Sequence, residues 1–572
     1  MQSSSPLVWL ICLLWLVLQC ASILASHRYP QTVFYNEFAA ACAVMAVGAM
    51  LAWVGPVRWR LSPMTAMLAV LAGVVAAWAM AGAGGAATSV LLYLLVPIVL
   101  AVLVAAALNV MSREQLVQWC AWGMLVCACL QCLAGALQLS GYSYPGVIMA
   151  KLMNSAFGNI AQQNHYANLL WLGLVSLTYL WVRGVFPALP ALVSAVAINV
   201  FAALSVSRSV WLYTALVPVL GALYVRHMPS AERRKVWSGL AVLTLLSVAT
   251  QIWLAYGNAQ AALGVTSAID RVGESGSNGQ RMFDWIVAAR TALEHPFTGV
   301  GPGMFAWQTA LASIGLPPEN WVRIGENAHN TVLHFAAELG LVFIFVAGLL
   351  VLAWLWRRWR ETPTLESWWG LGILAVLASH SFVEYPLWYV YFLVPLGCAI
   401  GVIDAGDERL PSLRFNALWL IVPLALGAVV LGSTWGDYRR LEQAYKTLNA
   451  DTSPDLATAA RLDAVGASIG AHSLLAPQAA VLRLRAWRTS DADRLPAIVE
   501  VCDRMLPHKV QYNTLTACMA AYTMADRKAE ADRINEIACG AFAPIHSKPF
   551  VEYAQKLYLR KDWALPDKGR CL

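Results

Sequence analysis

The sequence has few charged residues. Lys, Arg, Asp and Glu make up 12% of its 572 residues, where soluble proteins carry about 25%, and 59% belong to the apolar set. The mean hydropathy is +0.59. This composition excludes a soluble globular enzyme, a disordered chain and a disulfide scaffold. The net charge of +7 does not indicate nucleic-acid binding, because most Lys and Arg lie in short loops between apolar runs.

Apolar runs near the length of a membrane-crossing helix recur along the first three quarters of the chain. A helix needs about 20 residues to cross the hydrocarbon. Two runs, 186–225 and 366–404, are twice that length, so each is predicted to fold back, at Ser207-Arg208-Ser209 and at Glu384-Tyr385-Pro386. The sequence therefore predicts an all-α polytopic membrane protein with about 13 spans. These lie at roughly 6–26, 37–55, 63–82, 87–111, 116–139, 164–183, 186–205, 209–226, 237–257, 331–356, 366–382, 387–404 and 416–436.

The charges of the loops predict the orientation. Alternate loops hold 13 positive residues in one set, whereas the short loops of the other hold only Arg28, Lys151 and Arg208. Because positive loops stay in the cytoplasm, the N-terminus is predicted inside, and the long loop 258–330 and the tail 437–572 outside. The positive set comprises Arg58, Arg60, Arg113, Arg183, Arg226, Arg233, Arg234, Lys235, Arg357, Arg358, Arg360, Arg409 and Arg414.

The tail has the composition of a soluble domain, with 19 Lys+Arg and 16 Asp+Glu from Asp437 to Leu572. Its apolar residues recur at helical spacing, and its Ala-rich paired helices indicate a TPR-like stack, although the usual Trp/Leu-Gly/Tyr signature is absent. Three domains are therefore predicted: N-terminal transmembrane helices 1–150, a transmembrane core 151–436 that includes the long loop, and a helical domain 437–572. The tail helices are predicted at Asp437–Ala450, Asp455–Ile469, Pro477–Arg488, Leu495–Met505, Thr514–Arg533 and Val551–Trp563.

Four cysteines lie in the tail: Cys502, Cys518, Cys539 and Cys571. Outside the cytoplasm they allow disulfides in any of three pairings. Four buried free thiols are an equal alternative.

His329 is the most informative residue of the long loop. It precedes the predicted span 331–356, where the positive end of the helix dipole favours a neutral imidazole that is able to accept a proton. An interfacial or capping histidine is the alternative.

Arg208, at the first fold-back, and Arg281, before an amphipathic segment, lie on the same predicted outer face. Two guanidiniums on one face suit the binding of a pyrophosphate. The alternative for Arg208 is a side chain that snorkels to the membrane interface, and the alternative for Arg281 is an ordinary loop arginine.

Further polar residues stand at the predicted outer ends of spans. Gln162, Asn164 and His165 suit a hydroxyl-rich ligand or a helix cap, and His380 with Glu384 suits a site or a satisfied polar pair. The Gly-rich run 299–303 lacks the context of a nucleotide fingerprint and predicts tight turns instead. Because no metal-ligand spacing occurs among the predicted outer residues, no metal site is predicted.

Several of these motifs together resemble a known family. The run Gly-Val-Gly-Pro-Gly-Met-Phe at 299–305, followed by Asn-Ala-His-Asn at 327–330 and Glu-Leu-Gly at 338–340, resembles the O-antigen ligase/polymerase superfamily. Phe-Gly-Asn-x-x-Gln-x-Asn at 157–164, Ser-Phe-Val-Glu-Tyr-Pro-Leu-Trp at 381–388 and the helical tail are similar to its PglL-type protein O-oligosaccharyltransferases. The resemblance covers most of the chain from about residue 150 onward.

The resemblance implies a glycosyltransferase of the Gram-negative inner membrane that needs no metal or cofactor. Its donor would be an oligosaccharide on undecaprenyl-pyrophosphate, and its acceptor a Ser or Thr hydroxyl of a periplasmic, pilin-like protein. By motif, His329 matches the essential histidine, and Arg208 and Arg281 match the two pyrophosphate-facing arginines. Gln162, Asn164, His165, Asn330, His380 and Glu384 are expected to support them.

Two alternatives stay open from the sequence. A lipopolysaccharide O-antigen ligase or polymerase would use the same donor with a glycan acceptor. A lipid-linked glycan transporter would use the long loop as a gate, but the sequence shows no repeat between its halves, and the candidate residues cluster on one predicted face.

The predicted topology is tested by reporter fusions. Alkaline phosphatase fused after Leu572 is expected to be active, and the same enzyme fused after Arg234 to be silent, because the reporter folds only outside the cytoplasm. An inactive fusion at Leu572, with its expression confirmed by immunoblot, would contradict the outer location of the tail.

Overall fold

The structure, a computed structural model, describes residues 6–26, 30–81, 84–152, 154–257, 259–269, 275–316, 322–451 and 454–542. These residues are almost entirely helical, which confirms the predicted class. The helices are α1 Pro6–Gln19, α2 Phe34–Leu51, α3 Pro63–Met80, α4 Gly84–Ala107, α5 Arg113–Leu139, α6 Gln163–Val182, α7 Ala188–Leu204, α8 Ser209–Tyr224, α9 Ser230–Tyr256, α10 Ala259–Leu263, α11 Ser275–Glu294, α12 Phe305–Ala312, α13 Thr331–Leu339, α14 Leu341–Trp359, α15 Leu365–Ser381, α16 Val390–Ala405, α17 Ile421–Ala450, α18 Leu456–Ala467, α19 Ala476–Ala486, α20 Leu495–Met505, α21 Tyr512–Met524 and α22 Lys528–Ala541.

The chain forms two compact units. Unit 1 comprises Met1–Ala72, Leu92–Glu274 and Val346–Leu431, and unit 2 comprises Gly73–Leu91, Ser275–Phe345 and Gly432–Leu572. These units run across the three domains predicted from the sequence, so that division stays a prediction.

Unit 1 is built around α6. Every residue from His165 to Leu180 is buried, because α6 contacts α5, α7, α8, α9 and α15. A helix that is enclosed on all sides can carry polar residues only if they find partners inside the bundle. The polar residues at the start of α6 are therefore held within the core of unit 1.

Eight of the described helices are long and apolar enough to cross a bilayer: α2, α3, α4, α5, α8, α9, α14 and α17. Helices α1, α7 and α16 are apolar but shorter. Helices α6 and α15 stand at two further predicted spans and carry more polar residues. The membrane character of the chain is therefore confirmed, whereas the number of 13 spans stays a prediction.

Both predicted fold-backs are present. The 186–225 run breaks between α7 and α8 at residues 205–208, and the 366–404 run breaks between α15 and α16 around the short 3₁₀ turn Pro386–Trp388.

The bounds of one predicted span were wrong, and another predicted span is part of a longer helix. The predicted span 331–356 is two helices, α13 and α14, separated by Gly340 at φ +100°. A side chain at Gly340 would be strained in this conformation and would meet the carbonyl oxygen of Phe297 at 2.7 Å. His329 therefore precedes a nine-residue helix rather than a membrane span. Helix α17 continues from the predicted span 416–436 into the tail without a break.

One small sheet departs from the all-α expectation. Strand β1, Pro56–Arg60, pairs antiparallel with β2, Ser412–Asn416. Both strands come from loops of the positive set, which the loop charges place on one side of the membrane. We call the pair the arginine ribbon, because Arg58 lies directly opposite Arg414 in its register.

Unit 2 has a core that the long loop and the tail share. Ala306 and Ala310 of α12 pack in one hydrophobic cluster with residues of α19, α20, α21 and α22. The predicted helix Thr514–Arg533 was wrong, since the chain turns between α21 and α22 at Asp526, which has φ 66°.

Cys502 and Cys518 form a disulfide between α20 and α21. Cys539 is also disulfide-bonded. Cys571 and the predicted helix Val551–Trp563 lie outside the described residues, and the TPR-like arrangement stays a prediction.

Candidate functional site

A buried carboxylate in unit 2 interacts electrostatically with both candidate residues of the long loop. Asp284 of α11 is fully buried, and its Oδ1 accepts a hydrogen bond of 3.0 Å from Gln280. Burial raises the pKa of Asp284 to about 6, while the Gln280 hydrogen bond and the charges of His329 and Arg281 lower it in part. The structure therefore brings His329 and Arg281 to a common acidic residue.

Gln280 ties this carboxylate to the chain segment that leads to His329. Its side-chain amide donates to the carbonyl of Arg323 at 2.7 Å and accepts from the backbone N–H of Arg323 at 2.8 Å. The segment then covers Asp284, since a side chain at Gly325 would meet the Asp284 carboxylate at 2.8 Å. This cover excludes water and explains why the carboxyl group is buried.

His329 is half-buried and has φ 50°, a left-handed conformation that is uncommon for a residue with a side chain. The next residue, Asn330, caps α13 by accepting a hydrogen bond from the N–H of Leu333 at 3.1 Å. The residue that caps α13 is therefore Asn330 and not His329. The turn and the cap together fix the direction of the His329 side chain.

A second histidine, His334, stabilises the turn that contains His329. His334 and Glu338 lie one turn apart on α13 and are both buried, with 3.3 Å between Nε2 and Oε2. The Nδ1 atom of His334 accepts a hydrogen bond from the N–H of Ala328 at 3.4 Å, and Oε1 of Glu338 accepts one from the N–H of Phe305 at 3.2 Å. One buried pair therefore links the Gly-rich motif to the Asn-Ala-His-Asn motif.

The Gly-rich run closes the C-terminal end of α13. The N–H groups of Val300 and Gly301 donate to the carbonyls of Ala337 and Glu338, each at 3.0 Å. Gly299, Gly301 and Gly303 all have positive φ. These amides are occupied within the protein, so the run is a set of tight turns, as predicted, and those two amides do not form a phosphate cradle.

The predicted polar residues of unit 1 form a chain of hydrogen bonds that ends beside Arg208. The buried Glu384 accepts a bond of 2.6 Å from the Asn164 amide, and Asn164 Oδ1 accepts one of 2.7 Å from Ser207. Ser205 Oγ accepts a bond of 3.2 Å from the N–H of Ser207. This network holds the turn between α7 and α8, in which Arg208 is half-buried.

His165 and His380 lie together in the core of unit 1. Their ring centroids are 5.4 Å apart, and Tyr389 packs against His165 at 4.6 Å. The Tyr213 hydroxyl is 2.7 Å from Nδ1 of His380. Gln162 caps α6 by accepting a bond of 2.5 Å from the N–H of His165. The structure thus brings together Gln162, Asn164, His165, His380 and Glu384 within unit 1, and His329, Asn330 and Arg281 within unit 2.

Several candidate residues lie at or near a residue with a strained backbone conformation. Among the described residues, four non-glycine residues have positive φ, and three of them are Ala161, Val206 and His329 itself. Ala161 precedes the Gln162 cap, and Val206 lies in the turn of Arg208. Such conformations cost about 1–3 kcal/mol each and cluster at functional sites.

Sequence reasoning missed Asp284, His334 and Ser207. The His334–Glu338 pair was visible in principle, because residues four apart meet on one face of a helix. Asp284 carried no comparable signal, since its role depends on burial by a segment 40 residues away. In the described ranges, no group of three or more His, Cys, Asp or Glu residues is arranged to hold a metal ion.

Comparisons with known proteins agree with this arrangement. Residues 192–347 match the O-antigen ligase family, and residues 368–556 match the C-terminal region of the virulence factor membrane-bound polymerases. The first match spans the Arg208 turn and the whole long loop. These two matches show that the chain resembles the O-antigen ligase superfamily from residue 192 onward. No solved structure matches it.

Two curated relatives of this chain come from Acinetobacter baylyi. A general O-oligosaccharyltransferase is 24% identical over 348 residues, which are 57% of each chain. A ComP-specific O-oligosaccharyltransferase is 22% identical over 278 residues, which are 48% of each chain. The chain therefore spans about half the length of the curated relatives it matches. These names support the resemblance to the PglL-type branch of the superfamily.

Asp284 makes the stability of the fold dependent on pH. Its raised pKa favours the neutral carboxyl in the folded state, so this contribution to stability is present below pH ~4 and is lost as the pH rises through 6. Asp284→Asn removes an ionisation that costs on the order of 3 kcal/mol at pH 8. We expect the variant to melt at a higher temperature than the parent at pH 8 and at nearly the same temperature at about pH 3, where the carboxyl group is protonated in both the folded and the unfolded chain, as measured in detergent.

The exposed Asp493 supplies the matched control, and Asp493→Asn should change neither melting temperature. An equal gain from Asp284→Asn at both pH values would contradict a buried ionised carboxylate.

Proposed function

We propose that this protein transfers an oligosaccharide from undecaprenyl-pyrophosphate to Ser or Thr hydroxyls of periplasmic, pilin-like proteins. The observation that carries the proposal is the buried Asp284, whose pKa is lowered in part by the charges of both His329 and Arg281. The names of the two relatives support an oligosaccharyltransferase. The location that follows is the inner membrane, with the N-terminus in the cytoplasm and the tail in the periplasm.

His329 is the proposed general base. The acceptor oxygen attacks the anomeric carbon, its proton passes to the imidazole, and the bond from that carbon to the pyrophosphate oxygen breaks with its electron pair. A carboxylate that faces an imidazole stabilises the imidazolium as it forms, which is the role we assign to Asp284. Because Asp284 acts through His329, it is a positioning residue.

Arg281 and Arg208 are the proposed ligands of the leaving pyrophosphate. A guanidinium donates two parallel hydrogen bonds to a phosphate and stays charged at any pH of interest. Their charges offset the negative charge that grows on the leaving group, so the proposed reaction uses no metal ion and no cofactor.

The polar network of unit 1 is proposed to position Arg208. Glu384, Asn164 and Ser207 form consecutive hydrogen bonds of 2.6 and 2.7 Å up to the residue beside Arg208. Gln162 fixes the start of the same helix, and His165 with His380 fills the core behind it. These residues hold a strained turn in one conformation, and none of them needs to touch the sugar.

The tail is proposed to help position the acceptor. Lys509 Nζ lies 3.0 Å from both carboxylate oxygens of Glu326, three residues before His329. Ala306 and Ala310 of the long loop share a hydrophobic core with the tail helices. An acceptor bound to the tail would therefore stay close to the segment that carries the base.

A lipopolysaccharide O-antigen ligase or polymerase is the second candidate. The match of residues 192–347 to the O-antigen ligase family favours it. Intact mass of a co-expressed pilin, in cells that make a lipid-linked glycan, distinguishes the two. A glycan mass on the pilin supports protein glycosylation, whereas an unmodified pilin with newly capped lipopolysaccharide would support the ligase.

His329→Ala is expected to lower the rate of transfer by about 10²–10⁴-fold, the usual contribution of a general base. The measurement is glycan transfer in membranes, with protein amounts normalised by immunoblot and the donor pool checked. His295, exposed in the same loop, is the matched control, and His295→Ala should keep normal transfer. Near-normal transfer by His329→Ala would make this histidine a structural residue and refute its role as the base.

Arg208→Lys should also impair transfer, although the charge is kept, because an ammonium cannot form the two-pronged contact with pyrophosphate. Arg281→Lys is expected to have a milder effect, and Arg290→Lys, at an exposed position of the same helix as Arg281, to have none.

EDTA should leave the parent activity unchanged. Loss of transfer in EDTA that Mg²⁺ restores would refute the metal-free mechanism.

A further inference from the structure

A polar cavity lies beneath the arginine ribbon, within unit 1. Its volume is about 160 Å³, far more than the ~10–15 Å³ that one water occupies. Arg58, Trp59 and Arg60 of β1 line it together with Asn109, which follows α4, and Asp404, near the end of α16. None of these residues belongs to the proposed transfer site, so this cavity is independent of the proposed function.

The cavity has more positive charge than the protein itself neutralises. Arg58 stands directly opposite Arg414 in the ribbon, and like charges in facing positions destabilise a strand pair. Arg58 donates one hydrogen bond to Ser412, at 3.1 Å. Arg60 Nη1 is buried and has no hydrogen-bond partner among the described residues. A buried guanidinium N–H without an acceptor is costly, so the cavity favours an anionic ligand.

The cavity also has an acidic wall. Oδ1 of Asp404 accepts a hydrogen bond of 2.8 Å from Trp354, whereas its Oδ2 is buried without a hydrogen-bond partner in the part of the chain that the structure describes. The hydroxyl of Ser62 and the guanidinium of Arg358 also favour the charged form of Asp404. In the same described part, no ion pair joins Arg60 to Asp404. A ligand with a negative and a positive group a few bonds apart would satisfy both walls.

The flanking tryptophans indicate the depth of the cavity in the membrane. Trp53, just before β1, is 74% exposed, and Trp419, just after β2, is 70% exposed. Exposed tryptophans are typical of the interface between lipid and water. The apolar helices α4 and α16 also end here. The cavity therefore lies at the level of lipid head groups.

We propose that this cavity binds the phosphoethanolamine head group of a membrane phospholipid. The phosphate accepts hydrogen bonds from Arg60 and Arg58, and the ammonium donates to the free oxygen of Asp404. An anionic glycerol head group offers Asp404 only a neutral hydroxyl, whose hydrogen bond is weaker than that of an ammonium. A choline head group has a positive charge but no N–H to donate.

Native mass spectrometry of the full chain, delipidated in detergent and titrated with defined lipids, tests the proposal. We expect phosphatidylethanolamine to bind about tenfold more tightly than phosphatidylglycerol or phosphatidylcholine, the gain typical of one charge-assisted hydrogen bond. Equal binding of all three lipids to the parent protein would overturn the proposal without any variant. Soluble phosphoethanolamine is added as a competitor, and displacement of the lipid by it at equal concentration would show that the head group alone is recognised.

Two variants with matched controls locate the site. Arg60→Gln should weaken the binding of phosphatidylethanolamine about tenfold, and Asp404→Asn should abolish the preference over phosphatidylglycerol while keeping the hydrogen bond from Trp354. Arg234→Gln and Glu408→Gln change exposed residues outside the cavity and should bind as the parent does. If all four variants bind equally, the lipid binds elsewhere and the proposal is wrong. If Asp404→Asn keeps the full preference, the ammonium half of the site is wrong.

Discussion

The Glu338 carboxylate accepts a hydrogen bond from the Gly-rich motif of the long loop and pairs with His334 on its own helix. Oε1 accepts from the N–H of Phe305, 33 residues away, and Oε2 lies 3.3 Å from His334 on the same helix. His334 in turn accepts from Ala328, the residue before His329. Because a buried carboxylate is stable only when such donors surround it, the two motifs can adopt only the arrangement that satisfies Glu338. The position of His329 depends on this one group.

The same principle operates at the fold-back of unit 1. Glu384 is 1% exposed, and its bond to Asn164 continues through Ser207 to the turn of Arg208. Val206 in that turn keeps a left-handed conformation, which persists only where the surroundings determine it. His329 is itself a strained residue, and Arg208 lies two residues after one; a buried acid stabilises the surroundings of each. Strain and burial cost free energy in the fold and provide a fixed geometry for chemistry.

The disulfide and the shared hydrophobic core allow the tail to stabilise the long loop. Cys502 and Cys518 join two tail helices whose apolar faces also contact α12. Lys509 and Glu326 add an ion pair at the edge of this core. A region with soluble composition thus acts as the support of the segment that carries His329.

Local patterns determined much of this protein in advance. Hydropathy alone predicted the helical membrane class and both fold-backs, because a long apolar run has no other stable state in a bilayer. The motifs singled out His329, Arg281 and Glu384. Only the tertiary structure decided that Gly340 divides a predicted span and that Asp284 is buried beneath residues 323–325. It alone decided that two positively charged loops pair as strands. Each of these depends on contacts between residues far apart in sequence, and periodicity within one segment contains no information about such contacts.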